Sequence, residues 1–383
     1  MRALKRTGAW LALCAGLAAA RAAGGPCEDW PQWRAFAQHF VSAEGRVIDH
    51  GRDGGVTTSE GQSYALFFAL VANDPPAFER LLGWTRDNLA AGDLAARLPA
   101  WLWGKRKDGG WGVLDDNSAS DSDMWIAYDL LEAGRLWRTP RYAALGRQLA
   151  QRILEQETAD LPGLGLTLLP GRVGFRSADG GARLNPSYLP PQLVARLGTA
   201  LPDTDWAKLR HSTSRVLLDG APAGFAPDWL AYQPGKGLLA DAESRALGSY
   251  GAIRVYLWAG MLAPTAPLRD ELLRRYRPMA QRVVQTGEPP ETVDSRNGQA
   301  AGVGPAGFSA ALLPLLHAQG EAAALQAQQN RIAALPGRPD AYYDHVLMLF
   351  GQGWLQGRYR FGAEGELLPA WEDACPASHT VSR

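Results

Sequence analysis

The sequence is short of the residues that build metal centres and carries no excess charge of either sign. Three cysteines and six histidines are scattered over 383 residues, none at the spacing of a zinc site, so neither metal catalysis nor any other cofactor is expected. Lysine and arginine together number 39, as do aspartate and glutamate; this balance offers nothing to attract nucleic acid or an anionic membrane surface. After the first residues no stretch approaches the ~18 apolar residues of a membrane span. Charge blocks, low-complexity tracts and fixed-period repeats are also missing.

What is there begins with a leader. Arg2, Lys5 and Arg6 precede an apolar run from Trp10 to Ala20, and Ala20-Arg21-Ala22 offers small residues for cleavage. Residues 1–22 therefore read as a signal peptide and residues 23–383 as a single domain, periplasmic or secreted, without stable membrane insertion. Cys14 lies inside the leader behind Leu13, which is too bulky for the usual lipoprotein site. The remaining pair, Cys27 and Cys375, sits near the two ends of the mature chain. In an oxidising compartment the pair reads as one disulfide tying the termini, the alternative being two unrelated thiols.

Apolar positions recur mostly at helical spacing. Phe78, Leu81, Leu82 and Leu89 form one stripe, and Ile126, Leu130, Ala133 and Trp137 another. Similar runs cover 142–154, 188–197, 206–218, 249–261, 268–284, 308–316, 321–334 and 342–354. Gly/Pro-rich connectors such as 162–165, 287–290 and 302–305 separate them, too short and too apolar to be interdomain linkers. About a dozen helices without a boundary predict one closed all-α array of antiparallel pairs, with a cleft lined by loops and helix ends. The strand-like stretch 164–169 is expected to pair with 172–175 as a minor hairpin.

Two carboxylates stand at the mouths of apolar helical runs. Glu60 lies in Ser59-Glu60-Gly61-Gln62-Ser63-Tyr64, just before 65–71; Asp121 lies in Ala119-Ser120-Asp121-Ser122-Asp123, just before 124–128. With 14 tryptophans in the chain, this pairing suggests work on sugars, whose ring faces pack on indole. Asp123, two residues beyond Asp121, points elsewhere on its helix and reads as structural or capping. Trp101 and Tyr188, beside turns, are the preferred sugar-stacking candidates, whereas Trp125 and Trp137 read as core.

These segments resemble the family-8 glycoside hydrolases. The likeness is carried by Thr57 to Tyr64, Leu98 to Lys105, Ala119 to Asp123, Asn185-Pro186-Ser187-Tyr188, Pro227-Asp228-Trp229 and Ala252-Ile253-Arg254-Val255-Tyr256. It is closest to the endoglucanases encoded with bacterial cellulose synthase. The resemblance implies an (α/α)6 barrel and inverting hydrolysis of β-1,4-glucan by a monomer associated with cellulose synthesis. It implies Glu60 as proton donor, its pKa raised by burial or by Asp121, and Asp121 as the carboxylate that steadies the distorted sugar. It also locates a departure. Family members of this type carry the general-base aspartate after the tyrosine of Ser249-Tyr250-Gly251, where this chain has Gly251. Either another carboxylate, such as Asp228, Asp241 or Glu243, replaces it, or turnover is impaired and the protein binds glucan without cutting it. Arg254 is then expected to lack a carboxylate partner.

Overall fold

The structure, a computed structural model, describes residues 29–52, 54–335 and 339–373. The expected signal peptide and the Cys27–Cys375 pair lie outside the described residues. In chain order the first helices are α1 (Pro31–Phe40), α2 (Ser59–Val71), α3 (Pro75–Leu89), α4 (Ser120–Leu136), α5 (Pro140–Gln156), α6 (Pro191–Ala200) and α7 (Leu209–Asp219). They are followed by α8 (Ile253–Met261), α9 (Arg269–Arg275), α10 (Arg277–Thr286), α11 (Ala306–Ala318), α12 (Ala322–Ala334), α13 (Tyr342–Leu355) and α14 (Ala370–Asp373). Proline opens α1, α3, α5 and α6, where its missing N–H would have had no helical partner and its fixed φ suits the first turn.

Two kinds of helix alternate. α2, α4, α8 and α11 are buried on nearly every side, whereas α3, α5 and α10 bury a single stripe. All-round burial marks a helix enclosed by others, and a single stripe marks an outer layer. The inner helices pack in succession, α2 on α4, α4 on α6, α6 on α8, α8 on α11 and α11 on α13. Phe350 of α13 then meets Phe67 and Phe68 of α2, with ring centroids 5.4 and 4.7 Å apart, and closes the ring. Outside it, α3 backs α2, α5 backs α4, α7 backs α6, α9 backs α8, α12 backs α11 and α1 backs α13. Six inner helices with six outer partners make the expected (α/α)6 barrel. Its axis is filled by Tyr64, Trp125, Trp258 and Phe350, packed edge-on or tilted at 5.1–5.9 Å. These rings floor the cleft described below.

Four expectations are corrected. Helix α1 was not anticipated, although Trp33, Phe36 and Phe40 form its buried stripe. The run 268–284 is two helices, because Pro278 enters at the first turn of α10 and the chain bends at Tyr276. Strand Gly165–Leu168 pairs backwards with Thr158–Leu161, not with 172–175. Gly163 and Gly165 both take positive φ at that turn, while the backbone after it is used to hold the mouth of α4: Ser120 N–H donates to the Pro170 carbonyl, and Arg172 N–H to Ser118 Oγ. Short strands also form more small sheets than the rarity of alternation suggested.

Candidate active site

Glu60 is set by the start of α2. Thr58 has extended backbone, and its hydroxyl accepts from Gly61 N–H at 3.0 Å, so the helix begins at Ser59 with Glu60 in its first turn. Ser59 N–H donates to the Trp101 carbonyl, tying this mouth to the adjoining segment. Gly61 leaves room for Tyr342, whose hydroxyl would lie 2.9 Å from any Cβ there. Asp121 is set by the start of α4, which has no side-chain cap. Its Oδ1 accepts from Ser122 N–H at 2.8 Å. Ser122 Oγ donates to the Ala119 carbonyl and stands 2.6 Å from Ser59 Oγ, so one hydroxyl pair latches the two helix mouths together.

Arg254, from the first turn of α8, joins the two carboxyls. Its side chain is 6% exposed. Nη1 pairs with Glu60 Oε2, donates to Tyr64 Oη at 2.9 Å and lies 3.5 Å from Asp121 Oδ2; Nη2 donates to Ser187 Oγ at 2.9 Å. Ser187 is held in turn by Asn185, which caps the short helix Pro186–Tyr188. The Asn-Pro-Ser-Tyr stretch is thus a bracket for Arg254, and the Tyr188 ring lies 5.7 Å from its guanidinium. Tyr343 of α13 approaches it at 5.9 Å and donates its hydroxyl to the Tyr250 carbonyl, fastening the segment that carries Gly251. Arg254 therefore has carboxylate partners, contrary to expectation. Tyr64, Ser187 and Tyr343 went unassigned because their roles depend on contacts across the ring.

Burial pushes the Asp121 carboxyl up to about 7; the Arg254 guanidinium pulls it down, and the Glu60 charge adds to the rise. Asp123 is fully buried as well and faces outward, towards Glu157 of the α5–strand junction rather than the cleft. Burial raises both groups, Asp123 well above the carboxylate range and Glu157 to about 8. Ser118 Oγ donates to Glu157 Oε1 at 2.5 Å. Two buried carboxyls in contact hold their protons at neutral pH, because ionising either would place a charge in the core beside the other. Asp123 is structural, as expected, although it pairs in the core rather than capping the helix.

The aromatic candidates separate. Tyr188 lies inside the arginine bracket and 6.3 Å from Trp229. Trp101 is half-buried, and its side chain helps hold the nearby Asp115 carboxyl below its ordinary range. Beyond it, Trp103 and Trp111 stack at 5.3 Å with the Arg46 guanidinium over both rings, and Trp111 is 46% exposed. Trp229, missed as a candidate, stacks on Phe175 and carries Arg183 4.3 Å above its ring. Trp125 is core, as read from its spacing.

Of the three carboxylates near Gly251 in sequence, Asp241 and Glu243 are both engaged by Arg183. Asp228 turns to Gly251 itself. Its Oδ1 accepts from Ser249 and Ala252 N–H at 2.9 and 2.7 Å, and would stand 3.0 Å from a Cβ at position 251.

Comparison with known proteins agrees with this assembly. The chain matches the family described as "Glycosyl hydrolases family 8" over residues 3–357. An "Endoglucanase" of Salmonella typhi is 51% identical over 353 residues, covering 91% of this chain and 93% of that protein. One of Xanthomonas axonopodis pv. citri is 50% identical over 370 residues, 94% of each. The crystal structure of endo-1,4-D-glucanase from Vibrio fischeri ES114 superposes with a TM-score of 0.83 at 45% identity, covering 90% of this chain and 99% of that one. With a helical ring, two carboxyls at neighbouring helix mouths and a match that spans nearly the whole sequence, the chain belongs to family 8 of the glycoside hydrolases.

Proposed function

We propose that this protein is an endo-β-1,4-glucanase that cleaves cellulose-type chains with inversion, Glu60 donating a proton to the leaving oxygen. The carrying observation is the convergence of Glu60 and Asp121 on Arg254. Glu60 is 25% exposed, open to the cleft, whereas Asp121 is enclosed. An open carboxyl can reach a glycosidic oxygen; an enclosed one beside a guanidinium is suited to holding a distorted sugar and stabilising developing oxocarbenium charge. Tyr188 and Trp101 supply stacking faces along the chain path. The N-terminal leader supports export to the periplasm or beyond, and the resemblance to enzymes encoded with cellulose synthase supports a role in trimming glucan during secretion. Among the described residues no helix is long and apolar enough to cross a membrane.

A second reading is favoured by one residue. Glycine at 251 cannot accept a proton, so the protein would bind glucan and turn it over slowly or not at all. Release of reducing ends from carboxymethylcellulose tests both readings. The enzyme reading expects measurable release that Glu60→Gln lowers by about 10²–10⁴-fold, with the inverted anomer appearing first by NMR. Tight cello-oligosaccharide binding with no release from wild type would support the second.

A further inference from the structure

We infer that Asp228 is the water-activating carboxylate of this enzyme, working in the space that Gly251 leaves open. The inference rests on the hydrolase reading above and adds the missing half of its chemistry. A side chain at 251 would start directly against Asp228: its Cβ would stand 3.0 Å from Oδ1 and 3.4 Å from Cγ. Position 251 is therefore in direct contact with the Asp228 carboxyl on its Oδ1 side, and glycine there leaves that contact without a side chain. Asp228 is held in place there. Ser249 and Ala252 N–H both donate to Oδ1, and its own N–H donates to the Leu247 carbonyl.

With Oδ1 occupied, Oδ2 is the oxygen left for water. Among the described residues Oδ2 has no hydrogen-bond donor, and Asp228 lines an open pocket of about 580 Å³ with Arg183, Trp229, Glu243, Arg245 and Ser249. Asp228 also belongs to the same electrostatic neighbourhood as the acid. The Tyr343 hydroxyl, pushed up mainly by burial, is influenced by Arg254, Glu60, Asp228 and Asp121 together. The competing carboxylates Asp241 and Glu243 are held by Arg183, which leaves Asp228 as the base.

The step balances with these groups alone. Water loses a proton to Asp228 Oδ2 as its oxygen bonds to the anomeric carbon. The bond from that carbon to the leaving oxygen breaks, and the leaving oxygen keeps the electron pair and takes the Glu60 proton. Exchange with solvent returns each carboxyl to its starting state.

The test compares wild type, Glu60→Gln, Asp228→Asn, Gly251→Asp and the double variant Asp228→Asn with Gly251→Asp on carboxymethylcellulose, with folding checked by circular dichroism. Asparagine keeps an oxygen for the Ser249 and Ala252 N–H groups, so the start of α8 is preserved. Asp228→Asn should lower kcat by about 10²–10⁴-fold and abolish the acidic limb of the pH profile. The double variant should recover at least tenfold, because a carboxylate returns to the same pocket from the other side. If Asp228→Asn keeps kcat within about twofold, or loses it with the acidic limb intact and no recovery in the double variant, the inference is overturned. If wild type is inactive and Gly251→Asp is active, Asp228 is not the base but the hydrolase reading stands. If wild type and Gly251→Asp are both inactive, the hydrolase reading itself fails.

Discussion

The two halves of the cleft are built differently. On the acid side, Glu60 and Asp121 are locked by groups from α2, α4, α8 and the 185–188 bracket, with a buried guanidinium between them. On the side proposed to supply the base, a glycine faces one carboxylate fixed by backbone N–H groups. A charge cluster that several elements must satisfy together tolerates little change, since removing one member leaves the others buried and unpaired. A carboxylate held only by the backbone leaves its neighbour free to vary. On the proposed reading, that asymmetry leaves room for a glycine at 251 beside the Glu60–Asp121–Arg254 cluster.

Removing the centre of the acid side should break the contrast most sharply. Arg254→Met leaves Glu60 and Asp121 facing each other without a cation, so the Asp121 carboxyl, already near 7, should move higher. We expect kcat to fall by about 10²-fold or more, with the ionisation seen in the pH profile shifted upward and stability reduced by about 3–5 kcal/mol. Retained kcat with an unmoved profile would mean that Arg254 is only a packing residue. Activity in crude steps of pH and a guanidinium unfolding curve are sufficient measurements.

A smaller effect should come from the acid pair behind the site. Asp123 and Glu157 have folded pKa values above their ordinary ones, Glu157 at about 8 against 4.5. The native protein therefore holds protons that the unfolded chain has released. Stability from this pair is complete below about pH 4 and is lost as pH rises through about 8. Unfolding midpoints in guanidinium should fall from pH 5 to pH 8 in wild type. Glu157→Gln should flatten that decline, since a neutral amide replaces a titrating carboxyl; equal slopes for the two proteins would contradict the assignment.

How much of this was legible depends on distance along the chain. The helix mouths with Glu60 and Asp121 are local: a capping Thr58, an acidic first turn and an apolar run are readable from consecutive residues. The stripe of α1 is equally readable in Trp33, Phe36 and Phe40. The ring itself follows from runs that are apolar on all sides alternating with amphipathic ones. The Arg254 contacts are another matter, since Glu60 lies 194 residues away and Ser187 lies 67. No spacing encodes which helix ends meet once six pairs close into a ring. Likewise, Pro227-Asp228-Trp229 could be noticed, but its placement against Gly251 depends on how α8 begins.

The smallest predicted effect lies at the rim. Trp111 is 46% exposed, backed by Trp103 and lying under Arg46. An indole face so presented can take a pyranose ring remote from the scission point, and its loss should weaken binding without touching the chemistry. Trp111→Ala is expected to raise KM about five-fold, roughly 1 kcal/mol of stacking, at unchanged kcat. Trp229→Ala offers the matching change beside Asp228, where the ring adjoins Tyr188 and the pocket that Asp228 lines. If the rigid and open halves divide the work as argued, kcat should fall in the Trp229 variant and hold in the Trp111 variant. Equal losses of kcat in both would erase the distinction between rim and water site.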